Sequence, residues 1–176
     1  GSGKSTLTLR LIASGWQYLT DDLLLLDGRL EHSDAAILAH GFRRHFAVST
    51  EALRHSGLLK TTGVNADEHQ DKTYKHWLLP EKFFPTGYVA QCLPQILILP
   101  QITQAPESHL EPISPQDALL TVLHETPLAG YDPTITRAQV NTLTRLVSQT
   151  RAWRLYAGRD LLEQPDRASQ LLASLF

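Results

Sequence analysis

The chain predicts an α/β fold built on a mixed sheet with flanking helices, and three observations carry that expectation. Short apolar stretches bounded by turn residues alternate with segments whose apolar residues recur at helical spacing. A glycine-lysine-serine turn opens directly into one such helical segment. The 176 residues are 42% hydrophobic and 19% charged, a globular composition that supports one core and hence one domain over residues 1–176.

Taken in order, Leu7, Leu11 and Ile12 share one helical face after the opening turn, and Ser14-Gly15 supplies a stop. Leu7, Leu9 and Leu11 also alternate with polar residues, so a strand competes for this stretch. Trp16–Thr20 and Leu23–Leu26 read as short strands, and Asp27-Gly28 offers a tight turn into Arg29–His32. Thr50–His55 reads as a helix capped by Ser49 or Thr50. From Lys60 to Lys75 the chain is polar, with Gly63, Asn65 and Asp67 as breakers, and reads as a long surface loop. Gln95–Leu99, between Pro94 and Pro100, is predicted as a buried strand.

Ser114-Pro115-Gln116-Asp117 is a capping box with proline at the first helical position, opening a helix to about His124. A further helix is expected from Thr136, with Val140, Leu143, Leu146 and Val147 on one face. Ala152–Tyr156 reads as a strand, and Pro165 begins a last helix carrying Leu171, Leu172 and Leu175. The leucine and isoleucine runs are assigned to the core.

Several function classes are disfavoured. A net charge of −2 and a pI near 6.5 argue against a protein devoted to gripping nucleic acid. No apolar run approaches the roughly 18 residues of a membrane span, and no signal-peptide core opens the sequence, so no membrane partner is expected. The single cysteine, Cys92, excludes an internal disulfide and any multi-cysteine zinc site, so a reducing cytoplasm is the expected compartment. The eight histidines show no HxxxH spacing. With no methionine present, residue 1 is expected to follow an upstream hydrophobic strand and glycine.

Gly1-Ser2-Gly3-Lys4-Ser5-Thr6 matches the closing part of a phosphate-binding loop, GxxxxGK[ST]. Glycines let backbone N–H groups curl around phosphate oxygens, and the helix that follows adds its positive end. In that role Lys4 neutralises the β- and γ-phosphates and the Ser5 hydroxyl ligates Mg²⁺. A Gly-Ser scar ahead of an ordinary Gly-Lys-Ser-Thr is the plain alternative. Asp21-Asp22 then ends a strand where such proteins put a metal-holding carboxylate. Successive side chains of an extended strand point to opposite faces, so the two acids divide their work or form a simple turn. Gly41-Phe42-Arg43-Arg44-His45-Phe46 is the densest basic cluster. Arg43 or Arg44 is a candidate to stabilise a transferring phosphoryl group, as readily as a solvated pair between core phenylalanines. Arg159 is a lesser candidate. Asp67, Glu68, His69, Asp71 and Lys72 suit a lid or an ordinary mobile loop.

The combination of Gly1-Ser2-Gly3-Lys4-Ser5, Ser14-Gly15 and Tyr18-Leu19-Thr20-Asp21-Asp22 resembles the catalytic domain of bacterial HPr kinase/phosphorylase, and more closely the HPr-kinase-related proteins. The specific part is residues 1–27. The resemblance implies a single P-loop domain on the fold shared with ATP-dependent phosphoenolpyruvate carboxykinase. It implies ATP and Mg²⁺ as cofactors, and a serine hydroxyl of a protein or peptide as acceptor. It makes Asp21 the general base and Asp22 the metal partner of Ser5, an assignment that can be exchanged between the two. The family's glutamate-bearing Leu-Glu-(Ile/Val)-Arg-Gly-Leu-Gly stretch is not present. Its Pro-Gly-Arg-Asn-Leu loop has only a faint echo in Ala157-Gly158-Arg159-Asp160-Leu161. Phosphorylase activity and HPr itself as substrate are therefore not implied. A different P-loop NTPase or small-molecule kinase, and a nucleotide-binding module without catalysis, are the rival readings. A homo-oligomer is compatible with each.

Overall fold

Helix α1 (Lys4–Ala13) is wedged between two apolar clusters. The computed structural model describes residues 3–21, 23–27, 36–42, 45–64, 74–126 and 132–176. On one side of α1, Leu9 and Ile12 join Tyr18, Phe46, Val48 and Leu53. On the other, Leu7 and Leu11 pack beside Leu155, Leu161 and Ala168. Burial on two sides favours the helix over the competing strand, because alternation gives a strand only one apolar face. The helix stops as expected: Gly15 takes φ +90° and its N–H reaches Ile12 O, while Trp16 N–H reaches Leu11 O.

The described strands form three small sheets. Strands β1 (Leu25–Asp27), β2 (Leu38–His40) and β5 (Gln91–Cys92) pair antiparallel in the order β1-β2-β5. Strands β3 (Phe46–Ser49) and β4 (Lys75–Leu78) form an antiparallel pair. The third sheet is mixed. Its central strand β8 (Arg151–Ala157) runs parallel to β6 (Ile96–Ile102) and antiparallel to β7 (His109–Pro112). The chain is mixed α/β with helices flanking a mixed sheet, but the one sheet expected is, among the described strands, three: the mixed one and two small antiparallel ones.

Two layers of helix enclose the mixed sheet. One face carries Leu97, Ile113 and Ala152 against α4 (Pro115–His124) and α5 (Pro133–Gln149). The other carries Ile98, Leu110 and Leu155 against α1, α6 (Asp160–Glu163) and α7 (Arg167–Ala173). Gln149, at the end of α5, accepts from Ile37 N (2.7 Å) and donates to Ile37 O (2.9 Å) and Pro94 O (3.2 Å). One amide thereby ties the antiparallel β1-β2-β5 sheet to the helical layer.

Several expectations hold. Helix α2 (Thr50–His55) starts at Ser49, whose Oγ accepts from Ala52 N at 3.1 Å. Ser114 Oγ accepts from Asp117 N at 3.1 Å and caps α4. Others are corrected. Only Leu25 and Leu26 of the Leu23–Leu26 run enter a strand, and Leu23, Leu24 and Leu25 are 48%, 46% and 49% exposed rather than core. Trp16–Thr20 contributes one bridge, Tyr18 to Tyr88. The span from Lys60 holds the end of α3 (Leu59–Thr62) before residues 65–73, which lie outside the described set.

Strand β6 continues through Pro100 and is half-buried; it pairs only with β8 among the described strands, so the missing N–H faces no neighbour. Helix α5 begins at Pro133, because Asp132 caps it by accepting from Thr134 N and Ile135 N. The turn at Asp27-Gly28 and residues 29–32 lie outside the described residues. No described helix is long and apolar enough to cross a membrane.

Candidate functional site

The N-terminal end of α1 meets the carboxyl ends of the parallel strands. Gly3 precedes the helix with φ +77° and ψ 5°, a left-handed conformation that costs other residues about 1–2 kcal/mol. A Cβ here would lie 3.5 Å from Ile102 at the end of β6, so the requirement is for backbone conformation and not for space. Among the described residues no side chain caps α1; the first-turn N–H groups of a helix lack intrahelical acceptors and point where an anion can sit. In open α/β sheets ligands bind outside the carboxyl ends of the strands.

A cavity of about 420 Å³ occupies that location. Gly3, Thr6, Leu7 and Arg10 line it from α1, Ile102 and Gln104 from the end of β6, and Gly158 and Arg159 from the end of β8. The opposite flank of α1 bounds a second cavity of about 440 Å³, whose wall includes Lys4, Thr8, Tyr18, Thr20 and Asp21. The helix thus divides two hollows at the level of its first turn. Lys4 and Asp21, two residues singled out from sequence, line the same one.

Lys4 is exposed, and its Nζ lies 3.3 Å from Glu125 Oε2 at the end of α4. Glu125 was not foreseen; nothing in its local sequence distinguishes it from a solvated helix-terminal acid. Ser5 and Thr6 are half-buried in the first turn of α1. Gly1, Ser2, Asp22, Arg43 and Arg44 lie outside the described residues, as do Asp67, Glu68, His69, Asp71 and Lys72. His45 is exposed. Among the described residues no three His, Cys, Asp or Glu side chains gather as a metal cluster.

Two buried polar arrangements hold this region in place. Arg10 is only 4% exposed; its Nη1 donates to Gln164 O at 2.9 Å and its Nη2 to His55 O and Leu162 O. Those carbonyls belong to the ends of α2 and α6, where a cation offsets unpaired acceptors and the negative end of the helix. Burial lowers the pKa of the guanidinium. The signal was readable, since Arg10 sits three residues after Leu7 and therefore on an apolar face.

The second arrangement fixes the loop carrying Arg159. Asp160, 5% exposed, accepts from Ser108 Oγ, from Leu161 N (2.9 Å) and from Arg167 Nε (2.9 Å). Ser108 Oγ accepts in turn from Gly158 N at 2.8 Å, and Arg159 N donates to Ala105 O at 2.9 Å. Burial alone raises the pKa of Asp160, but the bonds from Ser108, Arg167 and Leu161 outweigh it and hold the carboxyl below its ordinary value. Gly158 is required for contact: a Cβ would stand 2.7 Å from the Glu107 carbonyl carbon. Arg159 is therefore delivered to the Gly3 hollow by a closed hydrogen-bonded loop.

Comparison with protein-family models, curated proteins and solved structures finds no match to this chain.

Proposed function

We propose that the protein is an ATP- and Mg²⁺-dependent kinase of the HPr-kinase-related type, a single P-loop domain that phosphorylates a hydroxyl, serine by preference, of a protein or peptide. The observation that carries this reading is the shared hollow: Lys4 and Asp21 line one cavity at the first turn of α1. The nucleotide enters from the Gly3 side, at the carboxyl ends of β6 and β8, with its phosphates at the N-terminal first turn of α1. Arg159 stands on that side as a cation, and the acceptor enters from the Asp21 side.

Ser5 and Asp22 supply a hydroxyl and a carboxylate, hard oxygen donors that suit magnesium. When bound, the metal neutralises charge on the phosphates. Asp21 takes the proton of the acceptor hydroxyl, whose oxygen forms a bond to the γ-phosphorus. The bond from that phosphorus to the β-bridging oxygen breaks, and ADP leaves. Lys4 balances charge on the transferring group, for which it exchanges the Glu125 carboxylate for phosphate oxygens. Asp21→Ala is expected to lower kcat by about 10²–10⁴ while nucleotide affinity barely changes. Unchanged turnover removes the assignment. Tight ATP binding with no phosphate transferred identifies the non-catalytic module instead.

A further inference from the structure

The hollow that holds Lys4 and Asp21 does not end there. A third cavity of about 340 Å³, lined by Cys92, Leu93, Ile96, Leu97 and their neighbours, shares Leu19 and Leu24 with it. Together they form two pits separated by a ridge of two leucines. Among the described residues that line the two pits, Lys4 and Asp21 are the ones with charged side chains, and both stand in the first pit. The rim is apolar and open: Leu23, Leu24 and Leu93 are each about half exposed, and Phe176 stacks at a tilt on Trp16 with ring centres 6.1 Å apart. Scattered exposed leucines are ordinary, but a cluster continuous with a polar pit is the pattern of a recognition surface.

We infer that this groove docks the phosphate acceptor, and that the acceptor is an extended polypeptide segment with a large uncharged apolar side chain a few residues from its target hydroxyl. The inference rests on the phosphoryl-transfer reading above, because Asp21 at one end fixes where the hydroxyl must lie. The occupant follows from the shape and charge of the two pits. A small polar alcohol fills the Asp21 pit and leaves the second one wet. A lipid headgroup needs cations along the rim, and the described lining offers only Lys4. An extended chain fits both pits, since its side chains project at regular intervals and can straddle a ridge. Strand β5 (Gln91–Cys92) borders the second pit and pairs only with β2 among the described strands. Its other edge presents backbone groups that an added strand can use.

The test uses fluorescein-labelled peptides with one serine in an alanine host, carrying leucines, lysines or glutamates beside it, with Mg-ATP and radiolabelled γ-phosphate. Cys92, the single cysteine and exposed in the second pit, reports occupancy through its rate of maleimide labelling. Leucine-bearing peptides are expected to bind roughly 10–100-fold more tightly than the plain alanine host, as burial of one large apolar side chain implies. They should slow labelling of Cys92 and accept phosphate. Leu93→Asp should erase the preference, whereas Leu120→Asp, on the exposed face of α4, should leave it intact. Equal binding of all peptides, or a preference that survives Leu93→Asp with Cys92 labelled at full rate, overturns the inference. Binding that shields Cys92 while Mg-ATP is bound but no phosphate moves overturns the acceptor assignment alone. Failure of the wild-type protein to bind Mg-ATP overturns the reading beneath it.

Discussion

Replacing Arg10 by methionine tests how the last turn of α1 is anchored. The side chain keeps a comparable length and an apolar stem, so most of the buried volume is retained while the guanidinium is lost. Three carbonyl acceptors, His55 O, Leu162 O and Gln164 O, lose a charge-assisted donor at a residue only 4% exposed. Hydrogen bonds to charged groups contribute about 1.5–3 kcal/mol each, and relief of the buried cation's desolvation offsets part of the sum. The expected net loss is about 3–5 kcal/mol, against a total stability of about 5–15 kcal/mol for an ordinary domain. In a domain of this size each kcal/mol is worth roughly 2–4 °C, so calorimetry should show Tm falling by about 6–20 °C. Arg10→Lys retains the charge but not the planar fork, and should fall between the two. A methionine variant within 0.5 kcal/mol of wild type (about 1–2 °C) would refute the strut. A lysine variant equal to arginine would show that charge alone suffices.

Two further outcomes follow from the same geometry. Asp160→Asn should cost about 1–3 kcal/mol in urea unfolding at pH 7, since Arg167 and Ser108 lose an ionised acceptor. The folded pKa lies below the unfolded value near 3.9, so this stability is complete above that value and fades as pH falls through the folded pKa. The gap between variant and wild type should therefore shrink below pH 4, and a gap independent of pH would contradict the bonding scheme. Glu125→Gln removes an exposed ion pair worth about 0–1 kcal/mol, so stability should hardly change. Mg-ATP affinity should rise at most about fivefold as Lys4 is released. A fall in affinity would give Glu125 a direct part in nucleotide or metal binding.

Local signals carried the elements that local energetics decide. The cap at Ser114, the cap at Ser49 and the glycine stop after α1 are contacts between residues a few positions apart, and each forms as read. The start of α5 was legible too, since Asp132-Pro133 is a cap followed by proline; the more distant apolar face drew attention to Thr136 instead. Elements fixed by partners were not legible. Strand β6 outruns Pro100 because its open edge does not need that N–H, and strandedness at β7 comes from β8 rather than from His109–Pro112 itself. The Leu23–Leu25 run was assigned to the core on hydrophobicity alone. Leu23 and Leu24 line the Asp21 hollow instead, and Leu25 is half exposed in β1, placements that depend on the fold around them.

The site was legible in the same uneven way. Gly3, Lys4, Ser5 and Asp21 stand in a short stretch whose chemistry is written in residue type and order. Glu125 meets Lys4 across 121 positions, and Ser108 meets Asp160 across 52. A sequence pattern holds no record of such distances until the mixed sheet is assembled.

The central claim is that the first turn of α1 binds a nucleotide triphosphate with Lys4 facing the transferred group. Isothermal titration of Mg-ATP into wild-type protein and the Lys4→Met variant tests it most directly. The account predicts saturable single-site binding by the wild type, and a loss of about tenfold or more in affinity for the variant at unchanged Tm. Identical titrations for the two proteins, or no binding by the wild type, would contradict it.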